Sequence, residues 1–476
     1  MVIVIGLARS KGVALLIGPA GLGVMGLLTT VMSTASIVLG LGLSSSSVRL
    51  IASSQGTAES FGATRRALWQ SSLVMGTLGL AFMAGAARPI SEIVFGSAAH
   101  AVDVAWLGVG VLAGIIGSSQ TALLQGLRRT GDLARSGVAG ALVGTVSGMA
   151  ALAVFGVEGI RWFVLAVPVG SMLGALWFTR SIRRADQSAP PNSAVWGQWK
   201  AMLPIGGVLV TAGIAGGIAD VVVRAVIARH IGIEAAGYFQ AASAISIQYL
   251  GLILGAMAAD YYPRLAAAGQ GAAFQAAVDE QLEVAVLLAS PILLSVLGLA
   301  PWVLATLYSA DFRTGADLLR WLVVGDVLKL ATWTIGFALL ARGQSVTYLA
   351  IELSGLAVFT GGTWLLVPRV GLVGAALAFC AYLVWSIIAG WWAARSRHGI
   401  AVAQTPARHL ALLLGAAILT AAASYQSDLA SAGTGLVLAA GAAAFAIRRF
   451  QQMDALPDVA RRLDRVYKVA ARLRRR

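Results

Sequence analysis

The sequence predicts an all-α polytopic membrane protein of about fourteen transmembrane helices, built as two pseudo-symmetric six-helix lobes plus two C-terminal helices. Three observations predict it. Of 476 residues, 58% are hydrophobic and 12% charged, whereas a water-facing surface calls for about 25% charged residues. The apolar residues fall in long runs, each close to the roughly 20 residues that cross a bilayer. Four of the short breaks between runs carry a glycine signature that recurs at regular offsets.

The first candidate span, 1–18, would be about 27 Å long as a helix and contains Arg9 and Lys11. Charges in the middle of the run, with no small-residue site after it, exclude a cleavable signal peptide. The start of the sequence is therefore expected to fall inside the first helix. A Gly18-Pro-Ala-Gly-Leu-Gly23 break leads to the second span, 22–45, and spans 68–87, 104–124, 136–155 and 160–180 complete a first lobe, 1–185. Residues 186–202 read as a cytoplasmic inter-lobe loop. A second lobe, 203–397, holds spans 203–228, 236–259, 282–307, 319–341, 345–366 and 371–394. Two additional spans, 407–424 and 431–447, lie in 398–447, and 448–476 form a tail. The connections are too short to hold an extramembrane domain.

Loop charge sets the orientation. Even-numbered loops carry fifteen Lys/Arg, among them Arg49, Arg65, Arg128, Arg180 and Arg264; odd-numbered loops carry five, with Arg229 at a span end. Both termini are therefore expected in the cytoplasm. The net charge is +15, and Arg448–Arg476 holds ten Lys/Arg against three Asp. There, Leu456, Val459, Leu463, Val466 and Leu473 recur at helical spacing between basic residues, which reads as a basic amphipathic helix on the cytoplasmic leaflet. The implied partners are membrane lipids, not nucleic acid; a glycan-assembly enzyme is a second candidate for that surface.

The glycine breaks are Gly18–Gly23, Gly156-Val-Glu-Gly159, Gly232-Ile-Glu-Ala-Ala-Gly237 and Gly371-Leu-Val-Gly374. Gly156 follows Gly18 by 138 residues, Gly371 follows Gly232 by 139, and Gly232 follows Gly18 by 214. Glycine marks tight turns anywhere, but two offsets matching within one residue point to duplication. Repeats with a site at their interface are a common transporter plan.

The stretch Ala14-Leu-Leu-Ile-Gly-Pro-Ala-Gly-Leu-Gly-Val-Met-Gly-Leu-Leu28, running on to Gly40-Leu-Gly-Leu43 and Val48-Arg49, resembles the opening of the O-antigen and polysaccharide flippases (Wzx type). Pro368-Arg-Val-Gly-Leu-Val-Gly-Ala-Ala-Leu377 is similar to the break before their twelfth helix. That family belongs to the MOP superfamily, with the lipid II flippases and MATE drug exporters. The clipped first helix and the long basic tail depart from its pattern.

Ionisable groups inside hydrocarbon cost about 2.5–3.5 kcal/mol each on insertion scales, so each calls for a partner or a purpose. They are Arg9 and Lys11, Asp220 and Arg224, Asp326 and Lys329, and Glu352. The 214-residue offset lays Arg224 over position 10 and Arg264 over position 50, beside Arg49. Cations at matching depths in two lobes would make a pocket for a pyrophosphate, which arginine grips bidentately. The resemblance implies the same role: related flippases use arginines on their first, second and eighth helices, where Arg9, Lys11, Arg49 and Arg264 fall. Each residue also has a plain reading. Arg49 and Arg264 fit the positive-inside rule, and Arg9 and Lys11 can snorkel. Asp220–Arg224 and Asp326–Lys329 can neutralise each other at i,i+4 and i,i+3. Glu352 has no obvious neighbour in its own helix and is the better candidate for proton or sodium coupling, with Asp220, Asp326 and Lys329 behind it.

The expected function is a flippase moving a polyprenyl-pyrophosphate-linked oligosaccharide from the cytoplasmic to the periplasmic leaflet of a bacterial inner membrane, for cell-surface polysaccharide. No phosphate loop is present, which argues against nucleotide hydrolysis in this chain. Cys380 stands alone, so neither an internal disulfide nor a zinc site is expected, and no cofactor is implied. The four histidines (His100, His230, His398, His409) read as interfacial residues. The alternatives are a MATE-like ion-coupled small-molecule exporter and a membrane glycan polymerase or ligase. The latter usually needs a large catalytic loop, and the longest periplasmic candidate, Arg88–Asp103, is short.

Overall fold

The structure, a computed structural model, describes residues 2–54, 58–185, 196–198, 207–269, 271–398 and 403–452. The basic tail beyond 452 and most of the inter-lobe loop lie outside them. The described chain is built of helices: α1 (Val2–Gly40), α2 (Leu43–Ser54), α3 (Ala58–Gly85), α4 (Ala87–Phe95), α5 (Ala101–Gly126), α6 (Thr130–Phe155), α7 (Ile160–Ala185) and α8 (Gly207–His230). These are followed by α9 (Ile233–Ala268), α10 (Ala272–Gly298), α11 (Ala300–Leu307), α12 (Ala316–Ala341), α13 (Ser345–Val370), α14 (Val373–His398), α15 (Gln404–Ala423) and α16 (Asp428–Gln452).

Eleven stretches of the described residues are long and apolar enough to cross a membrane, against the expected fourteen spans. One of them, Thr130–Arg180, takes in both α6 and α7, and another, Ala8–Gly40, lies within α1. The chain forms two compact units. The first comprises Met1–Ala244, Pro301–Leu318 and Gln344–Ser386; the second comprises Ile245–Ala300, Leu319–Gly343 and the described residues from Ile387 onward.

All four signature breaks begin with a glycine in a left-handed conformation: Gly18 at φ 62°, Gly156 at 56°, Gly232 at 126° and Gly371 at 69°. Only glycine adopts these values at no steric cost. At Gly18, ψ is −169° and α1 is broken there, with Pro19 restarting the helix. Proline suits that first-turn position because its missing N–H would be unpaired anyway.

In the first unit, α6 buries a single line of residues four apart: Ser136, Gly140, Gly144, Gly148 and Leu152. The line faces α7 at backbone distance. A Cβ added at Gly144 would lie 2.8 Å from Val167 Cα, and one at Gly170 would lie 2.7 Å from the Gly140 carbonyl oxygen. Helix association in lipid rests on such close packing, because the tails are as apolar as the side chains. The opposite face of α6 exposes Val143, Val146 and Val154.

In the second unit, the two additional helices α15 and α16 pack on α10. Gly298 and Gly435 meet directly, a Cβ on Gly435 lying 2.7 Å from Gly298 Cα. Ion pairs hold both ends of α16. Asp428, in its first turn, accepts from Arg320 Nη2 at 2.6 Å, and Arg449, in its last turn, donates to Glu283 at 2.7 Å. Both charges also complement the helix dipole. His409, near the start of α15, brings its Nδ1 within 3.5 Å of the same Glu283 carboxylate. Arg449→Ala leaves the buried Glu283 carboxylate without its arginine. It is expected to cost on the order of 2 kcal/mol, seen as a lower thermal midpoint in detergent, with Glu283→Gln recovering part of the loss. An unchanged midpoint would show that the pair adds nothing.

Candidate functional site

The predicted site residues divide between the two units. In the first unit, α1 places Arg9, Ser10 and Lys11 against the chain around α11. Lys11 Nζ donates to the Thr306 carbonyl at 2.7 Å, a lysine on one of the last carbonyls of a helix. Arg9 and the Ser10 hydroxyl lie beside the Tyr308 phenol. Tyr308 in turn donates to the Ala241 carbonyl of α9 at 3.4 Å.

Arg224 reaches the same part of α9 from the other direction. Its side chain is buried, its Nε donates to Asp220 at 3.1 Å, and its Nη1 donates to Gln240 Oε1. The guanidinium carbon sits 5.2 Å from the Phe239 ring centre. Asp220 is 43% exposed, so the pair has a buried cation and an accessible acid. Arg9, through Tyr308, and Arg224, through Gln240, thus approach one stretch, Phe239–Ala241, while Lys11 is held two residues before Tyr308, at Thr306.

Backbone contact fixes that arrangement. A Cβ added at Gly23 would collide with the Ile233 carbonyl oxygen, and one at Gly237 with the Pro19 carbonyl oxygen. A Cβ on Gly26 would lie 2.8 Å from Gln240 Oε1. Each member of the first two contacts becomes the other when 214 is added to one partner and subtracted from the second. Gly26 and Gln240 are themselves 214 apart. Such reciprocity, residue i on j and j′ on i′, is the mark of a contact across a two-fold axis.

Glu352, on α13 of the same unit, accepts from the Tyr382 hydroxyl at 3.0 Å. Tyr382 lies 6.1 Å from each of the Phe359 and Phe379 rings, centre to centre. The residue is half-buried.

The second unit holds Arg264, Asp326 and Lys329. Arg264 pairs with Glu280 at 3.2 Å and with Gln281 at 3.3 Å. Asp326 on α12 is fully buried, and its Oδ2 accepts from Ser246 Oγ at 2.7 Å and from the Tyr249 hydroxyl. Lys329, one turn on, is within electrostatic reach of it. Arg49 lies on α2, and its side chain is outside the described residues.

Sequence reading by charge missed Gln240, Tyr308, Ser246 and Tyr249, which carry none. The i,i+3 spacing of Ser246 and Tyr249, two hydroxyls on one face of an apolar helix, is the signal that was available.

Comparison with known proteins adds the following. A family model described as "Polysaccharide biosynthesis protein" matches residues 13–316. Among curated proteins, the "Lipid III flippase" of Escherichia coli (strain K12) is 24% identical over 387 residues, covering 80% of this chain and 92% of the relative. The protein of the same name in Shigella flexneri matches to the same extent. Among solved structures, "Lipid II flippase MurJ, inward closed conformation" superposes with a TM-score of 0.71 at 13% identity, covering 94% of this chain and 97% of that one. An inward-facing multidrug resistance MATE family transporter of the MOP superfamily gives 0.68 at 19% identity, covering 87% of this chain and 95% of that one. At these identities the two structures show a shared fold.

Proposed function

This chain belongs to the polysaccharide biosynthesis protein family, and we propose that it is a flippase for a polyprenyl-pyrophosphate-linked oligosaccharide. It would move that lipid from the cytoplasmic to the periplasmic leaflet of the inner membrane by alternating access, as a transporter and not an enzyme. Support for the lipid-linked substrate comes from the family and from the curated relatives named Lipid III flippase.

The observation that carries the anionic substrate is the cation cluster of the first unit. Lys11 holds the Thr306 carbonyl, Arg9 lies beside Tyr308, and Arg224 binds Gln240, next to the Ala241 carbonyl that Tyr308 reaches, with Asp220 as its paired acid. The excess of positive charge suits a pyrophosphate, and Lys11, which is exposed, would make the first contact. Arg49 and Arg264 are further candidates for binding the pyrophosphate, in a chain of two lobes, 1–185 and 203–397, with both termini cytoplasmic. Asp220, Asp326, Lys329 and Glu352 are the candidates for coupling to an ion gradient. A MATE-like exporter of cationic compounds fits less well, because it would rely on carboxylates where this cluster offers cations.

In a deletion strain, lipid-linked oligosaccharide is expected to accumulate in the cytoplasmic leaflet and surface glycan to fall. Normal surface glycan without accumulation would overturn the assignment. Within the site, Arg9→Ala and Arg224→Ala are each expected to slow flipping by about tenfold to a hundredfold, the worth of one charge-assisted hydrogen bond. If both variants flip at the wild-type rate, the cation pocket is wrong.

A further inference from the structure

We propose that Asp326 is a proton-carrying site, and that its loading and unloading couple transport to the proton gradient. The coupling part rests on the flippase reading; the proton site does not.

The geometry is asymmetric. Asp326 is fully buried on α12. Ser246 and Tyr249, three residues apart on α9, aim both hydroxyls at one oxygen, Oδ2. The other oxygen, Oδ1, is buried with no hydrogen-bond partner. An ionised carboxylate withdrawn from water needs both oxygens served, because an unsatisfied charge in a low-dielectric interior is costly. A neutral carboxylic acid matches what is seen: its carbonyl oxygen accepts two donors while its other oxygen carries the proton.

A metal cation fits less well. Hard cations collect several oxygen ligands, and here both neighbouring hydroxyls are already turned toward Oδ2. The titratable groups that reach Asp326 are Lys329, from its own helix, and Tyr249, from α9. The step is a simple proton exchange: the carboxylate takes one proton from water on Oδ1 and returns it on the other side of the cycle. No electron moves. On release, the new negative charge stands one turn from the Lys329 ammonium, at the i,i+3 spacing that pairs opposite charges. The site therefore alternates between a neutral acid held by α9 and an ion pair within α12. Glu352 lacks this asymmetry, since it is half-buried and bound to Tyr382.

The test uses the full-length protein and two readouts. In detergent at neutral pH, infrared difference spectra of wild type against Asp326→Asn should show the C=O stretch of a protonated carboxylic acid in wild type only. In proteoliposomes, flipping of a fluorescent polyprenyl-pyrophosphate disaccharide should be several-fold faster in wild type under an imposed proton gradient. That ratio should fall to about one in Asp326→Asn, and Tyr249→Phe should shift the pH at which the gradient acts. Absence of the carboxylic acid band overturns the proton site. An undiminished gradient response in Asp326→Asn, or a wild-type response to sodium alone, overturns the coupling. If wild type moves no lipid-linked glycan under any gradient, the flippase reading fails, while the infrared band still decides the site.

Discussion

Gly237→Val is expected to slow flipping by on the order of a hundredfold while the equivalent change at Gly251, on the same helix, has little effect. A side chain at Gly237 would enter the Pro19 carbonyl, whereas one at Gly251 meets open space. Overpacking costs typically about 1–3 kcal/mol when side chains can rotate away. Here the obstacle is backbone on both sides, so the upper end applies, and about 3 kcal/mol shifts a two-state ratio by roughly a hundredfold. On the proposed orientation both turns face the periplasm, so their contact seals that side. The variant should populate the open state. Spin labels at Ala20 and Ile231, both exposed, in a background with Cys380 replaced by Ala, should report a longer separation in Gly237→Val. An unchanged separation with normal flipping would show that the two turns do not work as a gate.

That contact shows what the sequence revealed and what it concealed. The turns were legible because glycine is required twice over, once by positive φ at Gly18 and Gly232, once by backbone contact at Gly23 and Gly237. Both demands leave the residue type unchanged across a duplication, which is why the spacing survives. The helices were legible because hydrophobic runs of that length have few other uses. Charge pairs were legible only along one helix. Asp220–Arg224 follows from i,i+4 spacing, but the partner of Arg264, Glu280, lies on the next helix, α10, and follows no helical period. Asp326 is the instructive case. Its i,i+3 lysine suggested a pair neutralised within one helix, whereas its hydrogen bonds come from uncharged Ser246 and Tyr249 on another. Hydropathy and charge are both blind to a hydroxyl, and only the packing of α9 on α12 brings the two together.

The largest effect on folding is expected from Gly144→Leu. The pair α6–α7 has no apolar driving force of its own in lipid, so its stability comes from close backbone approach and the dispersion it permits. Gly140, Gly144 and Gly148 provide that approach, and at Gly144 even a Cβ would lie 2.9 Å from the Ala166 carbonyl oxygen. Leucine adds three further carbons with nowhere to go, so α6 and α7 must separate along their length. The expected result is a thermal midpoint in detergent lower by on the order of 10 °C, with reduced yield. Gly137→Leu supplies the control. It sits on the same helix, pays the same change in helix propensity, and meets nothing within 4 Å. If both substitutions lower the midpoint equally, the effect belongs to leucine at the lipid surface, and the glycine line is not what joins the helices. If only Gly144→Leu does so, the four-residue period of α6 is the device that builds this part of the first unit.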